Sequence, residues 1–263
     1  MRTSRIKSKV ERNEAAFCTT LTLAAPELFE LVSILGFDGI WLDMEHHQHS
    51  VETASQLIRA ARVGNADVVA RPAKGEFMRM GRMLEAGAQA IMYPRCENVE
   101  EAKEVVRWAK FAPFGQRGFD GANPDADYLG HSMTEYMQHA NRETVLIIQI
   151  EEQKSLDQAE AIAAVPGVDF LMLGPADYSI LSGLAGQFDN PRIIAAHQAI
   201  ATATRNTGKQ WARTCATTEV VKETLAMGAK LIFQGADIVF LRRALEQLKK
   251  DCCELGFVFG NSR

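Results

Sequence analysis

Apolar residues occur along the chain as short runs, which alternate with longer stretches in which apolar positions recur every three or four residues. Short apolar runs bounded by Gly or Pro predict buried strands, and the three-and-four spacing predicts helices. The predicted strands cover 15–23, 39–43, 67–71, 90–94, 144–152, 170–173, 210–214 and 230–235. The predicted helices cover 26–35, 51–63, 76–86, 99–111, 155–164, 191–204, 219–227 and 238–255.

This alternation predicts an α/β fold of eight strand–helix units. Eight such units in 263 residues favour a single (β/α)8 TIM barrel that occupies 1–263, with its active site at the C-terminal ends of the strands. A doubly wound sheet is the alternative, but it normally has a glycine-rich turn after the first strand, and residues 21–26 contain no glycine. The segment 114–141 interrupts the pattern and is predicted to be a loop with a short helix at 131–139.

Composition narrows the class of protein. A hydrophobic content of 47% and a net charge of −4 are ordinary for a globular enzyme and argue against nucleic acid as a main partner. The five cysteines include no CxxC pair, which is typical of reduced, cytoplasmic proteins. Residues 1–13 do not resemble a secretory signal, and no apolar run is long enough to predict a membrane span.

Two carboxylates follow neighbouring predicted strands. Glu151 ends one strand and Asp177 follows the next, and the helix between them makes a right-handed crossover that places the strands parallel and adjacent. Two carboxylates side by side either share a proton or hold a hard divalent cation. The structural alternative is that Glu151 caps a helix and Asp177 anchors a turn.

Other polar residues stand at the ends of other predicted strands. They are Asp43, Glu45 and His46 after the second strand, Arg71 after the third and Gln149 in the fifth. Each has a structural alternative, such as a helix cap, a loop-surface histidine or an ion-pair partner. In a barrel all of them would project into one mouth, and this convergence favours an active site.

Several segments resemble a known enzyme family in the same order. They are 36–46 (GFDGIWLDMEH), 85–89 (EAGAQ), 113–118 (PFGQRG), 149–151 (QIE) and 174–177 (GPAD). Together they resemble the HpcH/HpaI family of metal-dependent, pyruvate-using class II aldolases. The resemblance implies a (β/α)8 barrel that cleaves a 4-hydroxy-2-oxo acid to pyruvate and an aldehyde.

The resemblance also implies roles for individual residues. Glu151 and Asp177 would coordinate magnesium, manganese or cobalt, with Gln149 close to the metal and its water. Arg71 would bind the enolate oxygen, and His46, oriented by Asp43, would transfer protons. The remaining roles lie at one turn: the backbone amides of Ala176 and Asp177 would hold the pyruvate carboxylate, for which Gly174 leaves room.

The chemistry of the residues agrees with an aldolase that forms a pyruvate enolate. Aldol cleavage leaves a pyruvate enolate, whose charge a metal and Arg71 can stabilise, and a histidine can accept the 4-hydroxyl proton. A Schiff-base lysine would be the other electron sink, but the nearest lysine, Lys74, lies beyond Pro72. Related enolate chemistry, such as decarboxylation or citrate-lyase-type acyl cleavage, and a non-catalytic metabolite-binding barrel are the alternatives.

Two features depart from the family pattern. The segment 119–128 is acidic where members that use dicarboxylic semialdehydes often carry arginines, so a second carboxylate on the acceptor aldehyde is expected to bind poorly. His47 and His49 add two histidines after His46, where small or apolar residues are common.

The last predicted helix is apolar on one face, and the tail after it contains Phe257, Val258 and Phe259. Exposed apolar surface of this extent usually meets a partner. We therefore expect a homo-oligomer, and the resemblance implies a hexamer in which the C-terminal helix is swapped between subunits.

Overall fold

Eight parallel strands close into a barrel in chain order in the computed structural model, which describes residues 1–260. The strands are β1 (Ala16–Leu21), β2 (Gly39–Asp43), β3 (Asp67–Arg71), β4 (Ala90–Tyr93), β5 (Val145–Ile150), β6 (Phe170–Leu173), β7 (Gln210–Cys215) and β8 (Leu231–Ala236). The predicted (β/α)8 barrel is confirmed, and the doubly wound alternative is excluded because β1 pairs with β8.

Twelve α-helices accompany the strands in the described residues. They are α1 (Arg5–Glu11), α2 (Pro26–Ile34), α3 (Val51–Ala60), α4 (Phe77–Ala86), α5 (Val99–Ala109), α6 (Met133–Glu143), α7 (Gln153–Leu156), α8 (Ala159–Ala163), α9 (Pro175–Leu181), α10 (Pro191–Asn206), α11 (Thr218–Ala226) and α12 (Asp237–Glu254). In this part of the chain, no helix is both long and apolar enough to cross a membrane.

Helices α1 and α9 were not predicted from the pattern. The first residues are largely polar, yet α1 forms because Ser4 caps its N-terminus and Ile6 is fully buried in the barrel interior. The buried carboxylate of Asp67, at the start of β3, accepts hydrogen bonds from Ser4 Oγ (2.7 Å) and Ile6 N (2.9 Å). This tertiary anchor attaches α1 to the end of the barrel opposite the mouth.

The strand side chains alternate between two apolar layers. Val145 and Ile147 point into the barrel, where they pack with Trp41, Met92 and Phe170, while the intervening residues pack against the helices. Because the period is two residues, Gln149 and Glu151 continue the inward series of β5. The same alternation continues Trp41 to Asp43 on β2 and Val69 to Arg71 on β3, so the polar residues at these strand ends point toward one axis.

Helix α12 contacts the barrel next to β8 and β1 but leaves most of its own surface exposed. At its start, Asp237 accepts hydrogen bonds from Thr22 N (2.9 Å) and Leu23 N (2.9 Å), which ties β8 to the end of β1. Ten large apolar side chains of the helix and tail are at least 40% exposed: Ile238, Val239, Phe240, Leu241, Leu245, Leu248, Leu255, Phe257, Val258 and Phe259. The apolar face predicted from the sequence is therefore not buried within the subunit.

Candidate active site

Arg71 and Asp43 form the centre of the barrel mouth. They are register partners at the ends of β3 and β2, and both are buried. Arg71 Nε donates to Asp43 Oδ1 (2.8 Å) and Arg71 Nη2 donates to Asp43 Oδ2 (2.7 Å), which makes a bidentate ion pair. Burial acts to raise the pKa of Asp43, but the hydrogen bonds and charge of Arg71 outweigh it and hold the pKa below its usual value.

The third nitrogen of the guanidinium faces β5. Arg71 Nη1 donates to Gln149 Oε1 (3.2 Å) and lies 3.1 Å from Glu45 Oε2 as an ion pair. The guanidinium also stacks over the Trp41 ring, at 4.6 Å from its centroid. The arginine is thus held by partners on β2, in the loop directly after β2 and on β5.

Glu151 is the most perturbed acid of the mouth. Glu151 is only 3% exposed, and its Oε2 has no hydrogen-bond partner among the described residues. Burial raises its pKa to about 7, and the charges of Asp177 and Glu45 contribute in the same direction. A buried carboxylate oxygen without a partner is costly unless a cation or a proton reaches it.

Gly174 and Asp177 are brought to the same place by α9. A β-carbon at Gly174 would overlap Glu151 Oε1, so the carboxylate occupies the space that the missing side chain leaves. Gly174 precedes the helix, Pro175 is its first residue, and Asp177 lies in its first turn. Ala176 and Asp177 are therefore in the turn whose backbone N–H groups have no partner within the helix.

The histidines are arranged differently from the expectation. The predicted orientation of His46 by Asp43 is not what the structure shows: His47 Nε2 lies 3.7 Å from Asp43 Oδ2, while His46 Nε2 lies 3.7 Å from Glu45 Oε2. The physical reason is that the Asp43 carboxylate is committed to Arg71, whereas the His46 side chain lies in the loop after β2, is 57% exposed and approaches Glu45 instead.

A cavity of about 410 Å³ opens at this mouth. We call it the mouth cavity; it is lined by Glu45, Ala73, Lys74, Arg95, Glu97, Glu151, Glu152 and Leu181. Arg95 was not singled out from the sequence, because the charged residue after Pro94 follows a strand end without a recognisable motif. The sequence places Glu45 after the second strand, but its spacing does not predict the contact with Arg71.

Lys74 lies in the mouth cavity but is not poised for Schiff-base chemistry. Its Nζ donates to Arg95 O (3.0 Å) and pairs with the carboxylates of Glu97 and Glu101. Burial acts to lower the pKa of Lys74, but the hydrogen bond to Glu97 and the charges of Glu101 and Glu97 raise it. A raised pKa keeps the amine protonated, which disfavours attack on a carbonyl.

The donor set fits a hard cation held by few protein ligands. Within residues 1–260 no three His, Cys, Asp or Glu side chains form a metal-binding group by themselves. The carboxylates of Glu151 and Asp177 are oxygen donors, and the free Oε2 of Glu151 is available to a cation. Further ligands would have to come from water or substrate, as is common for magnesium.

Comparison with known proteins gives the family. The family model described as HpcH/HpaI aldolase/citrate lyase matches residues 19–244. The chain belongs to the HpcH/HpaI aldolase/citrate lyase family. The resemblance inferred from the sequence motifs is thereby confirmed.

Individual members of the HpcH/HpaI family are similar over nearly the whole chain. A hydroxypyruvate/pyruvate aldolase of Pseudomonas aeruginosa is 31% identical over 93% of this chain and 91% of its own length. A 4-hydroxy-2-oxo-heptane-1,7-dioate aldolase of Escherichia coli is 31% identical over 87% of both chains. The crystal structure of an HpcH/HpaI aldolase from Desulfitobacterium hafniense superimposes with a TM-score of 0.88, at 25% identity and 98% coverage of both chains.

Proposed function

We propose that this protein is a metal-dependent aldolase, a carbon–carbon lyase that reversibly cleaves a 4-hydroxy-2-oxo acid to pyruvate and an aldehyde. The observation that carries the proposal is the buried Oε2 of Glu151, which has no hydrogen-bond partner in the described residues. The charges of Asp177 and Arg71 both act on the pKa of this carboxylate. Family membership and the two aldolase relatives support it. In this proposal Glu151 and Asp177 hold a divalent cation, namely magnesium, manganese or cobalt.

The cation, when bound, supplies Lewis-acid stabilisation to the oxygen on which the enolate charge develops. Arg71 acts on the same oxygen with a permanent positive charge. Its Nη1 contact with Gln149, at 3.2 Å, is the longest of its three hydrogen bonds, so it is the one that an incoming substrate oxygen would replace. Gln149 would then be free to bind water or substrate beside Arg71.

The substrate carboxylate is proposed to bind at the start of α9. The N–H groups of Ala176 and Asp177 are donors that the helix itself does not use. The space that the missing side chain of Gly174 leaves is taken by the Glu151 carboxylate rather than by the substrate. A substrate carboxylate on the two N–H groups would place the 2-oxo group toward Glu151 and Arg71. This orients the bond that must break between C3 and C4 of the substrate.

His46 is proposed to move the proton of the 4-hydroxyl group, directly or through water. When that proton leaves, the C3–C4 electron pair passes to the enolate of pyruvate and C4 becomes the aldehyde carbonyl. The Glu45 carboxylate lies beside this ring, with Oε2 3.7 Å from His46 Nε2. Asp43 contributes by holding Arg71 in place.

The assembly is also a proposal. In a closed barrel, the helix after β8 would cover the groove between α11 and α2, yet Leu225 of α11 and Leu31 and Ile34 of α2 are exposed there. The apolar face of α12 matches such a groove on a second copy of the chain. We propose a homo-oligomer, a hexamer with swapped α12 helices, in which each chain forms one domain over 1–263 and works in the cytoplasm.

One experiment tests the activity. The purified protein is given a panel of 4-hydroxy-2-oxo acids, and pyruvate release is measured with chelator and then with added magnesium, manganese or cobalt. We expect release that stops with excess chelator and returns with a divalent cation. Full activity in chelator, together with trapping of a covalent imine by borohydride, would overturn the proposal.

A further inference from the structure

Arg95 is a cation of the mouth cavity that has no carboxylate partner. No carboxylate oxygen in residues 1–260 lies within 4 Å of its guanidinium, although its charge acts to lower the pKa of Glu151. The other cations at the mouth are engaged, since Lys74 pairs with Glu97 and Arg71 pairs with Asp43. Among the described residues that line this cavity, the exposed Arg95 is therefore the positive charge that remains available to a ligand.

The backbone at Arg95 is held in an unfavourable conformation. Its backbone φ angle is +51°, in the left-handed region that residues other than glycine rarely adopt. Two hydrogen bonds flank it: Lys74 Nζ donates to Arg95 O (3.0 Å), and Cys96 N donates to Gln149 O (3.1 Å). Strain of this kind persists where surrounding contacts impose it, and it is concentrated at ligand-binding sites. Here it directs an arginine to the cavity that contains Glu151.

The acidic segment 119–128 does not occupy the same space within the chain. Asp127 pairs with the N-terminal amino group, and Pro124 O accepts a hydrogen bond from Arg62, which lies in a short 3-10 helix after α3 (3.1 Å). None of the residues lining the mouth cavity comes from this segment. Within this subunit, the segment is therefore not part of the mouth cavity.

We propose that Arg95 binds the anionic end group of the acceptor aldehyde, a carboxylate or a phosphate, and so makes the enzyme selective for charged acceptors. This inference rests on the proposed aldolase function and names the acceptor class for it. A guanidinium presents a planar pair of donors that matches either group in a bidentate contact. Glu152 also lines the cavity, and its charge opposes the anion.

The test uses acceptor pairs that differ in charge. Condensation with pyruvate is measured for succinic semialdehyde against butanal, and for glyceraldehyde 3-phosphate against glyceraldehyde. The variant is Arg95→Gln, which removes the charge but keeps a β-carbon at the strained position, so the backbone is not relaxed. Arg79→Gln, on the outer surface of α4, is the matched control, and Glu152→Gln removes the opposing charge.

We expect the wild-type protein to prefer the charged member of at least one pair, and the pair that shows the preference tells carboxylate from phosphate. Arg95→Gln should lower kcat/KM for that charged acceptor about tenfold or more and leave its neutral counterpart nearly unchanged. Arg79→Gln should change neither, and Glu152→Gln should increase the preference for the anion.

Proton exchange at the pyruvate methyl group is followed by NMR in deuterated water. It distinguishes an error in the role of Arg95 from an error in the proposed aldolase function. Exchange without any charge preference in the wild type, or an equal loss on both members of a pair in Arg95→Gln, would overturn the role of Arg95 alone. Absence of both exchange and pyruvate release in the wild type would overturn the aldolase function and the Arg95 site with it.

Discussion

Arg71 and Asp43 face each other across β3 and β2 and share two hydrogen bonds of 2.8 and 2.7 Å. The pair commits the Asp43 carboxylate to the arginine, and it leaves Arg71 Nη1 as the nitrogen turned to Gln149. A guanidinium fixed in this way can meet a developing negative charge without reorganising.

Replacing Arg71 with Lys should reduce every reaction of pyruvate, because the positive charge is retained but the fork that binds Asp43 and substrate together is lost. We expect aldol cleavage, oxaloacetate decarboxylation and methyl proton exchange all to fall on the order of a hundredfold or more. Arg79→Lys, in an ion pair with Glu76 on the outer surface, is the control. A loss of thermal stability with unchanged kinetics would show that Arg71 is structural.

His46→Ala should reduce aldol cleavage on the order of a hundredfold and spare oxaloacetate decarboxylation, because only cleavage requires removal of the 4-hydroxyl proton. His47→Ala is the matched control, since His47 is the ring within 3.7 Å of Asp43. Both variants are assayed for both reactions. If His47→Ala is the damaging change, the proton-transfer role belongs to His47.

Glu151→Gln should abolish binding of manganese, measured by calorimetry, while the circular dichroism spectrum stays that of the wild type. The reason is that the substitution removes a ligand charge from the mouth without removing a hydrogen bond made by Oε2 in the described structure. Glu152→Gln, the neighbouring half-buried acid, is the control and should keep the affinity. Retained manganese affinity in Glu151→Gln would place the metal elsewhere.

The stability of the protein should depend on pH through Asp67, which lies outside the active site. Burial raises its pKa to about 6, above the ordinary 3.8, so the folded state keeps a proton that the unfolded state releases between these values. The free energy of unfolding should therefore fall as pH rises through this window, by up to about 3 kcal/mol from this group.

Chemical denaturation at several pH values tests this. Asp67→Asn should flatten the profile between pH 4 and 6 relative to the wild type, although it also weakens the anchor of α1 and lowers stability overall. The exposed Asp120→Asn is the control. Parallel profiles for the wild type and Asp67→Asn would contradict the raised pKa.

Charge placed on the apolar face of α12 should break the assembly. Leu245→Glu with Leu248→Glu introduces carboxylates at positions that are 55% and 57% exposed within the subunit, so the barrel itself should still fold. Light scattering should change from a hexamer to a smaller species, whereas Arg242→Ala on the same helix should not change it. A wild-type protein that is monomeric at micromolar concentration would refute the proposed assembly.

The sequence by itself determined the architecture. The short buried strands are continuous apolar runs in the sequence, and the helices between them carry apolar stripes. Eight such strand–helix units therefore predict a barrel without knowledge of any contact. Alternation along a strand then determines which polar residues share the mouth, as Gln149 and Glu151 show. The hydrophobic pattern did not predict the short helices α1 and α9, because tertiary contacts, rather than periodicity, stabilise them.

Only the tertiary structure decided which of the polar groups pair with one another. Spacing placed Asp43, His46 and Arg71 in one mouth, but the choice of Arg71 as the partner of Asp43 depends on the register of β2 and β3. Arg95 could not be identified from the sequence, since its importance lies in a backbone conformation and in the absence of a nearby carboxylate among residues 1–260. The reason is physical: hydrophobic pattern is a property of neighbours in sequence, whereas ion pairs are made between residues that only folding brings within a few ångströms.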